Sequence, residues 1–393
     1  MKTKPSLGLM VTMLMFPQIV ETIYSPVLGS IAQHFFVTDA QVAQTLSIYF
    51  IAFAIGVVAW GVFADKYGRR PAMLCGLIIY AGACAIALLA DNFATIMLAR
   101  SLSAFGIAVG SVVTQTMLRD AYSGEELSKV FSLMGMGIAI SPVVGMLLGG
   151  QLAHLGGHQA VFFTLLVMAM LLLLFNAVKL PETQHEKRPL KLTALAKKML
   201  TDVKVWQSAI LVSVYNIALF SYYQLGGFAF SDLGLTADEF GYSGVALGIG
   251  TLLGSTLNRY LLSSRLLASP SLSNTSVQTR LLGLSAILLM TGGLGVSYTL
   301  TSIYFLIPMM LIPMMMVVMA FGIAIPNILS IALVDYKAQA GSAGALFGLS
   351  YYLMIGVGLA VAGYIQHLGI VLMGCGVIAI VIMVIAYQKE RRS

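Results

Sequence analysis

The sequence predicts an all-α membrane protein with twelve transmembrane helices in two six-helix bundles. Three observations predict it. Hydrophobic residues fill 59% of the 393 positions and charged residues only 9%, with a mean hydropathy of +0.92; a soluble domain carries about 25% charged residues. The apolar residues fall into runs close to the ~20 needed to cross hydrocarbon. The basic residues sort onto alternate loops. Such a chain cannot cover a water-facing surface, which excludes a soluble enzyme and a nucleic-acid-binding domain.

In chain order the helices are read at about 7–31, 42–64, 71–90, 93–117, 127–151 and 158–180, then at about 205–230, 240–262, 279–298, 301–330, 340–362 and 366–388. The polar stretch 181–204 (PETQHEKRPLKLTALAKKMLTDVK) divides them six and six. This gives an N-terminal bundle over 1–180, a cytoplasmic linker over 181–204 and a C-terminal bundle over 205–393. The linker reads either as a basic helix on anionic lipid or as a solvated connector. Only Ser297 to Ser302 separates the ninth and tenth helices. Pro308, Pro313 and Pro326 predict a kink or break in the tenth. The loop 263–278 is rich in small residues and reads as flexible; its Asn274-Thr275-Ser276 sits on the wrong side for glycosylation.

Orientation follows from charge. With both termini cytoplasmic, every one of the 22 Lys and Arg residues except Arg100 falls on the cytoplasmic side, as the positive-inside rule requires. The opposite loops carry Asp39, Asp91, Asp232, Asp238 and Glu239. A wrong helix count in either half would mix the two sets. Lys2 and Lys4 ahead of an apolar run look like a secretion signal, but Pro17, Gln18 and Glu21 interrupt it, so it is read as a retained first helix. Cys75, Cys84 and Cys375 lie in apolar runs without C-x-x-C spacing, and His34, His154, His158, His185 and His367 have no ligand spacing, so no disulfide framework or metal site is expected. No phosphate-binding G-x-x-x-x-G-K-[ST] loop is present, which removes ATP as a direct energy source.

Four motifs carry chemistry. After the second helix stands Gly61-Val62-Phe63-Ala64-Asp65-Lys66-Tyr67-Gly68-Arg69-Arg70-Pro71. Its glycines suit a tight turn, Pro71 suits a first helical turn, and Asp65 can pair with the basic cluster or a helix N-terminus. The fifth helix contains Ser141-Pro142-Val143-Val144-Gly145-Met146-Leu147-Leu148-Gly149-Gly150. Its small residues permit close helix packing, and Pro142 permits a bend. Glu21-Thr22-Ile23-Tyr24-Ser25-Pro26 is followed by Thr45-Leu46-Ser47, and Pro326-Asn327 by the Ala340–Gly348 string AGSAGALFG.

The first motif resembles the G-x-x-x-D-x-x-G-R-R loop of the major facilitator superfamily. The second resembles the helix-five motif of its proton-driven exporters. The other two are similar to the D-x-Y-x-P … T-L-S and P-N … A-G-x-A-x-A-L-x-G patterns of the Bcr/CflA drug-resistance branch. The sequence departs from that branch at three places. The first-helix acid is Glu21, Arg100 is followed by Ser101-Leu102 in place of Gln-Gly, and the second-half loop motif near Gly254 to Arg259 is degenerate. The resemblance implies the superfamily's two pseudo-twofold-related bundles. It implies a monomeric proton-driven exporter of small amphipathic compounds in the bacterial inner membrane, with the proton as coupling ion and no other cofactor. The loop motif, with Arg119 and Asp120, would form the latch; Glu125 is expected to join its ion pairs.

Two ionisable residues lie inside the bilayer. Glu21 sits about 20 Å along the first helix, where a lone charge costs at least ~2.5 kcal/mol. Taking a carboxyl out of water favours its neutral form, so this residue is the candidate proton carrier; the alternative is an acid satisfied by neighbouring hydroxyls. Arg100 lies ~10 Å into the fourth helix. It either supplies fixed charge to Glu21 or snorkels to the surface. Candidates for a substrate cavity are Tyr24, Tyr49, Gln115, Tyr215, Asn216, Tyr223, Gln224 and Asn327, since aromatic faces with few polar groups suit varied apolar ligands. Other readings are an exporter dedicated to one metabolite or siderophore, a proton-driven importer, and a non-transporting receptor or scaffold.

Overall fold

The computed structural model describes residues 4–184, 192–263, 274–301 and 307–392, and these are almost wholly helical. The spans are α1 Leu7–His34, α2 Asp39–Tyr67, α3 Arg69–Leu88 and α4 Phe93–Ala121. One helical stretch then covers Gly124–Lys179, but Gly156 (φ −168°, ψ 23°) and Gly157 (φ 61°, ψ −148°) leave helical geometry and split it into α5 (124–155) and α6 (158–179). The second set is α7 Val203–Asp232, α8 Ala237–Ser263, α9 Asn274–Thr301, α10 Ile307–Ala332, α11 Ala340–Ile365 and α12 Leu368–Arg392. Eleven stretches among the described residues are long and apolar enough to cross a membrane, and the split at Gly156-Gly157 makes twelve spans. Phe163, Leu174, Leu252, Ile312, Val361 and Val381 each expose half or more of their surface, as a lipid-facing exterior requires.

Local chemistry sets several ends. Thr38 and Gln41 form a reciprocal capping box on α2, and the Asn92 side chain caps α4. Three expectations need correction. The first span is not one helix: it runs Leu7–Ile23, unwinds through a 3₁₀ turn at Ser25–Val27 and resumes at Leu28–His34. Pro26 is the cause, because it lacks an N–H and disfavours helical geometry in the residue before it. The tenth span is not broken but is one helix over Ile307–Ala332, with Pro313 and Pro326 inside it. Pro308 is its second residue, where no hydrogen bond is lost. Gly292 and Gly295 of α9 leave room around Pro313: a Cβ on either would sit 2.7 Å from it. The ninth span starts at Asn274, so part of the expected flexible loop is helix. Positions 264–273, and 302–306 between α9 and α10, lie outside the described residues.

The contacts repeat when six is added to each helix number. Helix α2 packs on α4 and α3 on α4, as α8 packs on α10 and α9 on α10; α1 meets α4, as α7 meets α10. Helix α3 meets α6 across Tyr80, Cys84, Phe162 and Leu165, as α9 meets α12. This is the signature of two related six-helix bundles. The bundles touch through α2 with α11 and α5 with α8, a pair that the same shift of six exchanges. The first and last described residues, 4 and 392, lie at the end bearing the 68 and 122–123 turns, called here the basic end. The turns at 35–38, 90–92, 156–157 and 233–236 form the acidic end. Hydrogen bonds between the bundles lie toward the acidic end. Ser47 Oγ donates to Gly356 O at 2.7 Å, and Gln44 Nε2 to Ala360 O at 3.1 Å. Gln224 Nε2 donates across to Ala43 O and, within its own bundle, to Leu359 O, and Ser25 Oγ donates to Tyr223 O.

Part of the linker is a short helix, Leu192–Leu200. It buries Leu195 and Met199 and packs on α11 and α7, so it sits on protein; residues 185–191 are outside the described set.

Candidate functional site

Glu21 is the last but two residue of the helical part of α1, one turn after Pro17 and just before the unwound segment. It is only 4% exposed. Its carboxyl forms no direct ion pair with Arg100, although the two interact electrostatically. Its other electrostatic neighbours are Tyr49 on α2, Tyr223 on α7, and Tyr351 and Tyr352 on α11. The acid therefore sits where the two bundles meet.

Arg100 does not snorkel. It is 2% exposed, with its guanidinium held between two rings, 3.9 Å from the Tyr24 centroid and 4.4 Å from that of Tyr49. Cation–π contacts of this kind contribute up to ~2 kcal/mol each when desolvated. The Arg100 Nε and Nη2 atoms and the Tyr49 hydroxyl have no hydrogen-bond partner, while the Tyr24 hydroxyl meets Thr45 and that of Tyr80 meets Cys84.

Around Glu21 the aromatic side chains of both bundles join. Tyr49 stacks on Phe53 at 6.1 Å, Phe53 meets Tyr352 at 4.9 Å, Phe50 meets Phe220 at 4.6 Å, and Phe220 meets Tyr223 at 5.6 Å. Tyr24, Tyr49 and Tyr223 thus belong with the acid and the arginine. Phe50, Phe53, Phe220, Tyr351 and Tyr352 belong there too and were missed from sequence, because an aromatic in an apolar helix gives no sign of its face. Gln224 lies beside them but is spent on the seal between α2 and α11.

The remaining cavity candidates point elsewhere. Tyr215 pairs its hydroxyl with Ser285 at 2.6 Å, and Asn327 donates to Asn258 Oδ1 at 2.7 Å, both inside the second bundle. Asn216 donates to Val212 O in its own helix. Gln115 is half-buried on α4.

The loop motif forms a cluster confined to the first bundle and the linker. Arg69 pairs with Asp65, and its Nε donates to Asp120 Oδ2 at 3.1 Å. Glu182, which the sequence reading passed over, takes the N-terminus of α3: it accepts from the Arg69 and Arg70 backbone N–H groups at 3.0 and 3.1 Å. Arg70 donates to Ala177 O, and Gln184 to Asp65 O. Gly68 (φ +114°) is required twice over, since a Cβ would also meet the Glu182 carboxylate at 2.6 Å. Gly61 makes no such close approach. Arg119 does not join the cluster: it is exposed over the Phe131 ring. Nor does Glu125, which pairs with Lys129 one turn away.

The α5 motif is a packing surface. Cβ atoms on Gly145 or Gly149 would collide with Thr22 and Ile23 of α1, the two residues after Glu21. One on Gly150 would stand 2.9 Å from Asp238 Cα on α8. Ser141 returns its hydroxyl to Gly137 O, and the helix passes Pro142 without leaving helical geometry. One helix thus touches both the acid-bearing span and the other bundle.

Comparison with known proteins agrees with this architecture. Residues 10–362 match the Major Facilitator Superfamily. An uncharacterized transporter of Rickettsia bellii is 32% identical, over 86% of this chain and 84% of its own. Multidrug resistance protein D of Escherichia coli is 29% identical over 44% of each chain. The crystal structure of a bacterial homolog of the human lysosomal transporter Spinster superposes with a TM-score of 0.74, covering 98% of this chain and 96% of that one at 15% identity. The chain is a multi-pass membrane protein and belongs to the Major Facilitator Superfamily of transporters.

Proposed function

We propose that this transporter is a proton-coupled exporter of small amphipathic organic compounds. It works by alternating access of the bundles 1–180 and 205–393 about the linker 181–204. It lies in the bacterial inner membrane as a monomer, with the basic end and both termini in the cytoplasm, because that end carries the Lys and Arg residues. The observation that carries this reading is one buried carboxyl, Glu21, without an ion-pair partner, set in an aromatic wall shared by both bundles.

In this reading the structure is closed toward the outside by the Ser47, Gln44 and Gln224 hydrogen bonds. Glu21 releases its proton inward and a cytoplasmic substrate settles against the aromatic wall. The bundles then rock and Glu21 is protonated from outside. Arg100 cannot give up its proton; it holds a fixed charge that favours the ionised acid. The α5 glycines carry motion between α1 and α8, and the Asp65–Arg69–Asp120 cluster with Gly68 and Arg70 steadies the basic end. The relative named for multidrug resistance supports a drug substrate. The departure after Arg100 favours a second reading, a dedicated exporter of one metabolite or siderophore.

The test is proton flux in proteoliposomes, screened against lipophilic cations and candidate metabolites. Glu21→Gln is expected to abolish substrate-linked proton movement at normal expression. Retained coupling in that variant overturns the assignment, and a wild-type protein that moves no protons with any substrate favours a receptor or scaffold.

A further inference from the structure

Two histidines far apart in the chain meet at the acidic end. His34 closes α1, and His158 opens α6 directly after the break at Gly156-Gly157. Their ring centroids lie 4.8 Å apart with the planes at 58°. His34 is exposed, whereas His158 is only 6% exposed. One ring thus faces water and the other is set into the protein, against Phe35 at 5.8 Å and Phe162 at 6.4 Å.

Two imidazoles that share one tetrahedral metal ion, each nitrogen ~2.0–2.1 Å from it, have ring centres about 5 Å apart. The separation here is close to that value. A metal-bound imidazole nitrogen needs its proton on the other ring nitrogen, given to an acceptor. Ser30 can be that acceptor. Its Oγ lies 3.0 Å from His158 Nδ1 and also accepts the His158 backbone N–H at 3.3 Å. A hydroxyl oxygen has two lone pairs and can take both. With the proton on Nδ1, Nε2 keeps its lone pair. Gly157 (φ +61°) leaves the room for this, since a Cβ there would lie 2.7 Å from Ser30 Oγ.

The titratable group that acts on His158 is His34; Ser30, Phe35 and Phe162 around the pair carry no charge. Among the described residues no three His, Cys, Asp or Glu side chains gather to hold a metal, so water completes the shell. Imidazole ligands without carboxylates suit zinc, nickel and copper and leave out magnesium and calcium.

We propose that His34 and His158 form a binding site for a divalent transition-metal ion of the zinc, nickel or copper class, with Ser30 fixing the His158 tautomer. The ion fastens the second half of α1, Leu28–His34, to α6. That half stands beyond the unwound turn at Ser25–Val27 and also touches α7 of the other bundle, so the ion sets which bundle it follows. The inference does not depend on the role of Glu21.

The experiment uses the full-length protein, purified on a tag without histidine, stripped with EDTA and dialysed free of it. Zinc or nickel chloride is titrated by calorimetry, with magnesium chloride as control. One ion per chain is expected, with a higher unfolding midpoint and slower amide exchange across Leu28–His34, and no response to magnesium. Binding should be at least about tenfold weaker at pH 5.5 than at pH 8, because protons compete for the imidazoles. His34→Ala changes an exposed side chain and leaves folding intact; it should weaken binding at least about tenfold. Ser30→Ala removes the acceptor but no ligand and should weaken binding about tenfold. With copper, the electron spin resonance spectrum should show two nitrogen ligands in the wild type and one in His34→Ala. His154→Ala and His367→Ala should bind as the wild type does. No binding in the wild type, wild-type affinity in His34→Ala, or loss of binding in His154→Ala or His367→Ala would overturn the proposal.

Discussion

In the first bundle, buried polar groups go unanswered. The hydroxyls of Tyr49 and Thr114, two nitrogens of Arg100 and the Asn176 Oδ1 atom all lack partners. In the second bundle, groups of the same kind answer one another: Tyr215 with Ser285, Tyr222 with Ser243, Asn327 with Asn258. There, among the described residues, only Gln224 Oε1 is left over. Each unsatisfied buried group costs about 1–3 kcal/mol. One packing plan is thus used twice, with the cost concentrated where both intramembrane charges lie. The comparison teaches that the first bundle holds the chemistry and the second supplies a settled wall to rock against.

Substitutions can break or sharpen that contrast. The largest effect is expected from Arg100→Leu, which leaves Glu21 without its fixed countercharge: substrate-driven proton flux in vesicles should fall about tenfold or more, about 1.4 kcal/mol of lost coupling. Gly149→Leu comes next. Its side chain would overlap the Ile23 backbone, so unfolding in detergent should show a loss of about 1–3 kcal/mol, with transport reduced as α1 shifts. In the second bundle, Asn258→Ala removes the acceptor of Asn327 and should cost about 1–2 kcal/mol of stability while the proton-to-substrate ratio stays at the wild-type value. A changed ratio there would erase the proposed division between bundles. The smallest effect belongs to Glu182→Ala, which uncaps α3: about 1 kcal/mol of stability, read as a lower unfolding midpoint with efflux intact.

The helix count and the sorting of charge were legible because hydrocarbon allows few polar residues and each loop must surface. Gly156-Gly157 and the Ser123 turn are visible for the same reason. The break at Ser25-Pro26 was spelled out in the sequence yet read through, since apolar residues continue on both sides. Side-chain direction was the least legible part. A helix apolar all round carries no stripe to show which face meets a neighbour, so Tyr215 and Tyr223, eight residues apart on α7, looked alike. One donates inside its own bundle and the other joins the acid. Glu182 looked like any solvated linker charge, because only folding brings it onto α3. Glu21 and Arg100 stood out because an ionisable group in an oily helix needs a reason.

The amide of Gln224 has one further consequence. It reaches from α7 to the main chain of two other spans at once, Ala43 at 2.8 Å and Leu359 at 3.0 Å. The bond to Leu359 lies within the second bundle and fixes the direction of the amide, so its other hydrogen is already aimed at Ala43 of the first bundle when that end closes. Closure at that end therefore starts from a pre-oriented donor and loses less side-chain freedom than a free glutamine would.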